Sequence, residues 1–153
     1  MTKGEKAASL FKQGYNCSQS VAGAFAEETG LDFDVIMRLA SPFGGGMARL
    51  REVCGAVSGM FIVTGLLYGY DSPEDREAKK KLYAEAQSLA LKFKAQNGSY
   101  ICGELLNLGK GDECSPVPEK RTEEYYKKRP CVELVAQAAE ILEEYVRSNP
   151  PKD

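Results

Sequence analysis

The sequence predicts an all-α domain, and three observations support this prediction. Apolar residues recur at helical spacing in most segments, whereas no segment alternates apolar and polar residues as a half-buried strand does. Capping residues, prolines and glycines stand where these segments begin and end. There is no internal repeat and no linker long enough to divide the chain. We therefore expect residues 1–153 to form a single helical bundle of about six helices around a central apolar helix.

The segments before the central helix predict three helices. The first spans residues 2–13. The second begins after Asn16, a favourable N-cap residue, and ends at Gly30. A short third helix follows Asp32 and is broken by Ser41-Pro42, because proline disfavours helical conformation in the residue before it.

The central helix is predicted within Val53–Tyr70, a run that carries no charge. An uncharged helix in a globular protein is buried on all sides, so we expect the other helices to enclose it. Gly55 and Gly59 lie one helical turn apart, which predicts a face that packs closely against a neighbour. Membrane insertion is disfavoured, because the run is only about the minimum spanning length and is interrupted by polar residues and glycines.

The segments after the central helix predict further helices. Ser72 as N-cap and Pro73 at the first position start a long helix that ends at Asn97-Gly98. The remaining expected features are Ser99 as the cap of a short helix, one or two helical turns over 123–128, and a last helix with Pro130 at its first position that stops at Asn149.

Composition excludes several classes of function. The net charge is −2 and no segment is strongly basic, so a nucleic-acid partner is not expected. The first residues lack the long apolar core of a secretion signal, so we expect a cytoplasmic protein with reduced cysteines. The sequence has no histidine, which removes the commonest general base and the commonest metal ligand. Any chemistry must therefore use thiols, carboxylates or a bound cofactor.

The five cysteines have no strong metal-binding spacing, such as C-x-x-C or a clustered ferredoxin run. Three of them, Cys17, Cys102 and Cys131, are predicted in the first turn of a helix. Unpaired N–H groups and the helix dipole lower the pKa of a thiol there, and the cations at 127–129 act in the same direction on Cys131. The alternative is that these cysteines are inert core residues.

Cys114 has a different setting from the other cysteines. It lies in an irregular segment beside Asp112 and Glu113, and their negative charges disfavour a thiolate. We therefore interpret Cys114 as incidental to any site.

The glycine run Gly44, Gly45 and Gly46 is a candidate for binding a cofactor through its backbone N–H groups, together with Gly55 and Gly59. The phosphate-binding patterns GxGxxG and the P-loop are absent, and no strand precedes the run. A tight turn or a close helix contact is the favoured interpretation.

The most specific motif is Cys54-Gly55-Ala56-Val57-Ser58-Gly59. Two segments precede it, Asn16–Val21 and Phe43–Met47. Two cysteines follow it: Cys102 stands shortly before Glu104-Leu105-Leu106, and Cys131 lies within Arg129–Val135. In this order the segments resemble a bacterial and archaeal family of redox-active proteins named for its cysteine pattern, C_GCAxxG_C_C. The resemblance covers nearly the whole chain. It implies that the functional cysteines are Cys17, Cys54, Cys102 and Cys131.

The leading hypothesis is that these four thiols converge at one site and act in redox chemistry, as in a thiol-based oxidoreductase. They would form disulfides reversibly or hold an iron–sulfur cluster or another metal. In a dithiol mechanism, Cys17 or Cys131 is expected to attack, and Cys54 or Cys102 to resolve the mixed disulfide. One alternative is an iron–sulfur or zinc protein without catalysis that uses the same cysteines. Another is a helical interaction protein with inert core cysteines.

The redox hypothesis implies a redox partner protein or a small thiol or disulfide as the reaction partner. An amphipathic helical domain of this size is also compatible with a homodimer.

Overall fold

The computed structural model describes residues 1–108 and 114–152, so Asp112 and Glu113 lie outside the described residues. The protein is 66% helical, and no strand occurs in the described residues, which confirms the all-α prediction. Nine α-helices lie in this part of the chain instead of about six, although six of them have eight or more residues. The helices are α1 Lys3–Lys12, α2 Cys17–Ala24, α3 Ala26–Thr29, α4 Phe33–Ala40, α5 Gly55–Tyr68, α6 Arg76–Asn97, α7 Cys102–Leu105, α8 Glu123–Lys128 and α9 Cys131–Ser148.

Local capping explains where the first helices begin. The side chain of Thr2 accepts a hydrogen bond from the N–H of Glu5, and Asn16 caps α2 in the same way through Gln19. Both form capping boxes, which satisfy two otherwise unpaired N–H groups each. The second helix is shorter than predicted, because the backbone leaves helical geometry at Phe25 and resumes as α3.

Two predicted helix starts are displaced in the structure. The long helix α6 begins at Arg76, where the carboxylate of Asp75 accepts from the N–H of Ala78, so Ser72 is not its cap. Ser99 does not cap α7 either; its hydroxyl accepts from the N–H of Ile101, 2.9 Å away, and positions the chain just before that helix. For α6, a side chain nearer the first turn replaces the predicted cap, whereas α7 has no side-chain cap.

The helix α5 was expected to be enclosed on all sides, and it is not. Its residues from Gly55 to Met60 are buried, but Phe61, Gly65 and Leu66 are exposed in its second half. The helix with neighbours on most sides is α2, which packs against α1, α4, α5 and α9 and has six buried residues out of eight. Two helices, α2 and α5, therefore occupy the interior together, in place of the single central apolar helix that was predicted.

The hydrophobic core lies between α1, α2, α5 and α9, and α6 covers it with Leu89 and Phe93. Its fully buried members include Phe11, Val57 and Leu142. No helix among residues 1–108 and 114–152 combines the length and the apolar character needed to cross a bilayer.

Candidate functional site

The four predicted cysteines line one cavity of about 430 Å³. Each stands at the beginning of a different helix. Cys17, Cys102 and Cys131 are the first residues of α2, α7 and α9, and Cys54 is the N-cap residue of α5. All are free thiols. The fold therefore directs four helix N-termini, with a thiol at each, into a single space.

Cys114 does not line this cavity. It is exposed, and its Sγ lies 3.8 Å from the carbonyl oxygen of Leu50.

The two glycines of the cysteine motif bring Cys54 next to Cys17. A Cβ atom added to Gly55 would lie 3.0 Å from Cys17 Cβ, and one added to Gly59 would lie 2.9 Å from the carbonyl oxygen of Ser18. These separations are shorter than ordinary carbon contacts, so only glycine lets α5 approach α2 this closely. Gly55 also lines the cavity, whereas Gly59 serves the helix contact and does not line it.

A short backbone pairing places Cys54 near Cys102. Val53 and Ile101 form an isolated antiparallel bridge. On either side of it, the N–H of Cys54 donates to the carbonyl of Tyr100 at 2.8 Å, and the N–H of Cys102 donates to that of Glu52 at 2.6 Å. Residues adjacent to a bridge point to the same side of the pairing, so both thiols face the cavity. This pairing is too short to leave a pattern in the sequence.

The glycine run forms a left-handed turn in the cavity wall, as the tight-turn interpretation anticipated. Five consecutive residues, 45–49, have positive φ values between 53° and 75°. The left-handed conformation costs about 1–2 kcal/mol for a residue other than glycine, so three of these residues are strained. A Cβ atom on Gly46 would lie 2.5 Å from Cys102 Cβ, so this glycine is required for contact with the thiol segment. Gly44 and Gly45 line the cavity too.

Cys17 and Cys131 both line the cavity, and each thiol shifts the pKa of the other. The hydrogen bond from Cys17 lowers the pKa of Cys131, and the positive charges of Arg129, Arg121 and Arg51 act in the same direction against burial. The same hydrogen bond, together with burial, raises the pKa of Cys17 well above its ordinary value. Cys131 is therefore the thiol that ionises first, and Cys17 retains the shared proton.

The other two thiols stay protonated at neutral pH. Burial raises the pKa of Cys54 to about 12. Burial also raises the pKa of Cys102, although Arg51 Nη1 lies 3.7 Å from its sulfur. The prediction that helix starts lower the pKa of Cys17 and Cys102 was therefore wrong. A helix N-terminus contributes typically about 0.3–1 kcal/mol, which is less than the cost of burying a thiolate.

Four arginines line the cavity, and only one of them entered the sequence-based argument. They are Arg49, Arg51, Arg121 and Arg129. Arg129 was predicted to favour a thiolate at Cys131, whereas Lys127 and Lys128 are exposed and do not line the cavity. Arg49 and Arg51 could have been recognised from the sequence as residues of the site, because they stand between the glycine run and Cys54. Arg121 gave none, because it lies in an irregular segment.

Arg121 forms the part of the wall that joins distant segments. Its guanidinium lies 4.0 Å from the ring centre of Phe11 and donates to the carbonyl oxygens of Phe11 and Tyr15 at 2.8 and 2.9 Å. Its charge therefore stays beside the thiols in a fixed position.

The described residues do not fit a metal centre. Within 1–108 and 114–152, no group of three or more Cys, Asp or Glu side chains is placed to hold a metal ion. We therefore derive no step through a zinc ion or an iron–sulfur cluster.

A family model described as "Putative redox-active protein (C_GCAxxG_C_C)" matches residues 15–145. Searches of curated proteins and of solved structures found no match. The matched region includes all four cavity cysteines and the helices that present them. The chain belongs to the C_GCAxxG_C_C family.

Proposed function

We propose that the protein is a thiol–disulfide oxidoreductase in which Cys131 attacks and Cys17 resolves. The observation that carries this proposal is that the two thiols line one cavity and interact there, while arginines of the same cavity favour the thiolate of Cys131. A thiolate is the nucleophile in disulfide exchange, and a neighbouring neutral thiol is suited to the second step.

The reaction proceeds in two displacements. The thiolate of Cys131 attacks one sulfur of a disulfide substrate, forms a mixed disulfide with it, and releases the other sulfur as a thiolate. Cys17 then attacks Cys131 Sγ and gives up its proton to the second substrate sulfur, which leaves as a thiol. Two protein thiols are oxidised to one disulfide, and the substrate disulfide takes up two electrons and two protons.

The first displacement prepares the second. Before it, the hydrogen bond to Cys131 is the main cause of the raised pKa of Cys17, and the charge of a Cys131 thiolate adds to it. In the mixed disulfide Cys131 carries no charge, so both effects end and the pKa of Cys17 falls towards the value set by burial alone. The first displacement therefore removes two of the causes that keep Cys17 protonated, and burial remains.

This assignment differs from the sequence-based expectation in the resolving thiol. Cys54 or Cys102 was expected to resolve the mixed disulfide, and both do line the cavity. We prefer Cys17, because its interaction with Cys131 is the largest cause of the shifted pKa of both thiols.

The test is to oxidise the reduced protein with a disulfide and map the linked peptides by mass spectrometry. We expect a Cys17–Cys131 disulfide. Cys131→Ser should abolish the reaction, and Cys17→Ser should accumulate the mixed disulfide at Cys131. Cys114→Ser is the matched control and should react as the unsubstituted protein does. A Cys54–Cys102 disulfide, or full reactivity of Cys131→Ser, would contradict the proposal.

We propose a cytoplasmic location, because a reducing compartment keeps free cysteines in the thiol form. The homodimer stays a prediction that light scattering tests.

A further inference from the structure

The charge around the thiols differs in sign from the charge of the whole protein. The net charge of the chain is −2. Among the described residues that line the cavity, by contrast, four are arginines and one, Glu119, is an acid. A wall of one sign, in a space partly shielded from water, attracts ligands of the opposite sign.

Within residues 1–108 and 114–152, Arg49 and Arg121 are held by neutral carbonyl oxygens and form no ion pair. Arg129 does pair with Glu119, at 2.8 Å. Arg121 donates to the carbonyl oxygens of Phe11 and Tyr15, and Arg49 donates to that of Ser115. A carbonyl oxygen fixes a guanidinium in place but carries no net charge. The positions of Arg49 and Arg121 are therefore set while their charge remains available to a ligand.

The attacking sulfur is accessible to small molecules rather than to a protein surface. Cys131 is 8% exposed and Cys17 is half-buried, so both lie within the cavity instead of on a flat face. A volume of about 430 Å³ falls in the range of about 300–1,000 Å³ that is typical of small-molecule sites.

We infer that the substrate is a low-molecular-weight disulfide that carries carboxylate groups. Guanidinium groups bind carboxylates with paired, charge-assisted hydrogen bonds, which would hold such a disulfide against the thiols. The inference rests on the proposed function and names its substrate class. In the reaction the anionic disulfide takes up two electrons and two protons to become two thiols, while Cys17 and Cys131 become a disulfide.

Three small disulfides of similar size test the inference: dithiodipropionate with two negative charges, hydroxyethyl disulfide with none, and cystamine with two positive charges. The rate of oxidation of the reduced protein is measured for each and divided by its rate with a free small thiol, which removes intrinsic differences in reactivity. We expect the normalised rate of dithiodipropionate to exceed that of cystamine at least about tenfold at low salt. The ratio of the two normalised rates should fall towards one at about 1 M salt, because the Debye length is then only about 3 Å and salt screens the charges.

A pair of arginine variants links the preference to the cavity. Arg49→Gln removes one charge from the wall and should reduce the ratio several-fold. Arg38→Gln removes the same charge from an exposed position on α4 outside the cavity and should leave the ratio unchanged.

The outcomes separate this inference from the proposed function. If all three disulfides form the Cys17–Cys131 bond with equal normalised rates, the carboxylate preference is wrong and the oxidoreductase proposal stands. If none of them forms that bond, the proposed function is wrong and the inference falls with it. An equal effect of Arg49→Gln and Arg38→Gln would overturn the role of the cavity arginines.

Discussion

Cys17 and Cys131 are chemically identical side chains that the fold makes different. Their shared hydrogen bond lowers the pKa of Cys131 and raises that of Cys17. Arg129, Arg121 and Arg51 decide the direction, because their positive charges favour the thiolate at Cys131. The consequence is one nucleophile and one proton-bearing partner at the same site.

Removing the Cys17 thiol should make Cys131 a weaker nucleophile at neutral pH. Without the S–H donor the pKa of Cys131 rises, so less thiolate is present, and we expect Cys17→Ala to slow alkylation of Cys131 about tenfold. The measurement is the pH dependence of alkylation followed by mass spectrometry. Cys17→Ser is the matched control, because its hydroxyl can still donate to the sulfur and should keep most of the rate.

The pH dependence of stability follows from the lowered pKa of Cys131. The folded pKa of Cys131 lies below that of the unfolded chain, so its thiolate stabilises the folded state above the unfolded pKa. This contribution is lost as the pH falls through the folded pKa.

If Cys17→Ala and Cys17→Ser gave the same alkylation profile as the unsubstituted protein, the hydrogen bond would not control Cys131.

At the scale of elements, the site depends on the close approach of α2 and α5. Both glycines of the cysteine motif face α2, and the added-Cβ contacts at Gly55 and Gly59 are shorter than two carbon atoms tolerate. The helix pair therefore sets the separation of Cys17 and Cys54. Gly65, on the exposed half of the same helix, has no atom within 4 Å of an added Cβ.

Substitution of Gly55 and of Gly65 by alanine should have opposite effects on the stability of the protein. Gly55→Ala would force α5 away from α2 and should destabilise the protein by about 1–3 kcal/mol. Gly65→Ala fills open space and should stabilise it by about 0.5–1 kcal/mol, because alanine has the higher helix propensity. Urea unfolding measures both. Equal effects of the two substitutions would show that α2 and α5 are not packed as described.

At the scale of the whole molecule, Arg121 joins the beginning of the chain to its last third. The guanidinium donates to two carbonyl oxygens at the end of α1 and after it, and lies against the ring of Phe11. Phe11 is 1% exposed, so this contact connects the cavity wall to the hydrophobic core. The segment that leads into α8 and α9 is thereby fixed to α1.

A lysine at this position should not replace the arginine. Arg121→Lys keeps the charge but loses the paired donors and the planar contact with the ring, so we expect a loss of about 2 kcal/mol in the free energy of unfolding. Lys120→Ala, an exposed neighbour, is the control and should change it by less than about 0.5 kcal/mol. If Arg121→Lys were as stable as the unsubstituted protein, charge alone would account for the role of Arg121.

The sequence by itself determined the all-α class and several helix ends, and its resemblance to the C_GCAxxG_C_C family supplied the set of four cysteines. These features rest on short-range chemistry: Asn16 caps the turn that follows it, Gly98 ends α6 in a left-handed conformation, and Gly55 and Gly59 stand next to Cys54. Such features are encoded within a few residues, so they can be read without coordinates.

Only the tertiary structure decided which thiol is the nucleophile. The helix-start argument treated Cys17, Cys102 and Cys131 alike, and the fold separates them. A pKa depends on burial and on charges within a few ångströms, and for Cys131 those charges come from Arg51, Arg121 and Arg129, which belong to two segments far apart in the sequence. The cavity and its positive wall exist only once these distant segments pack together.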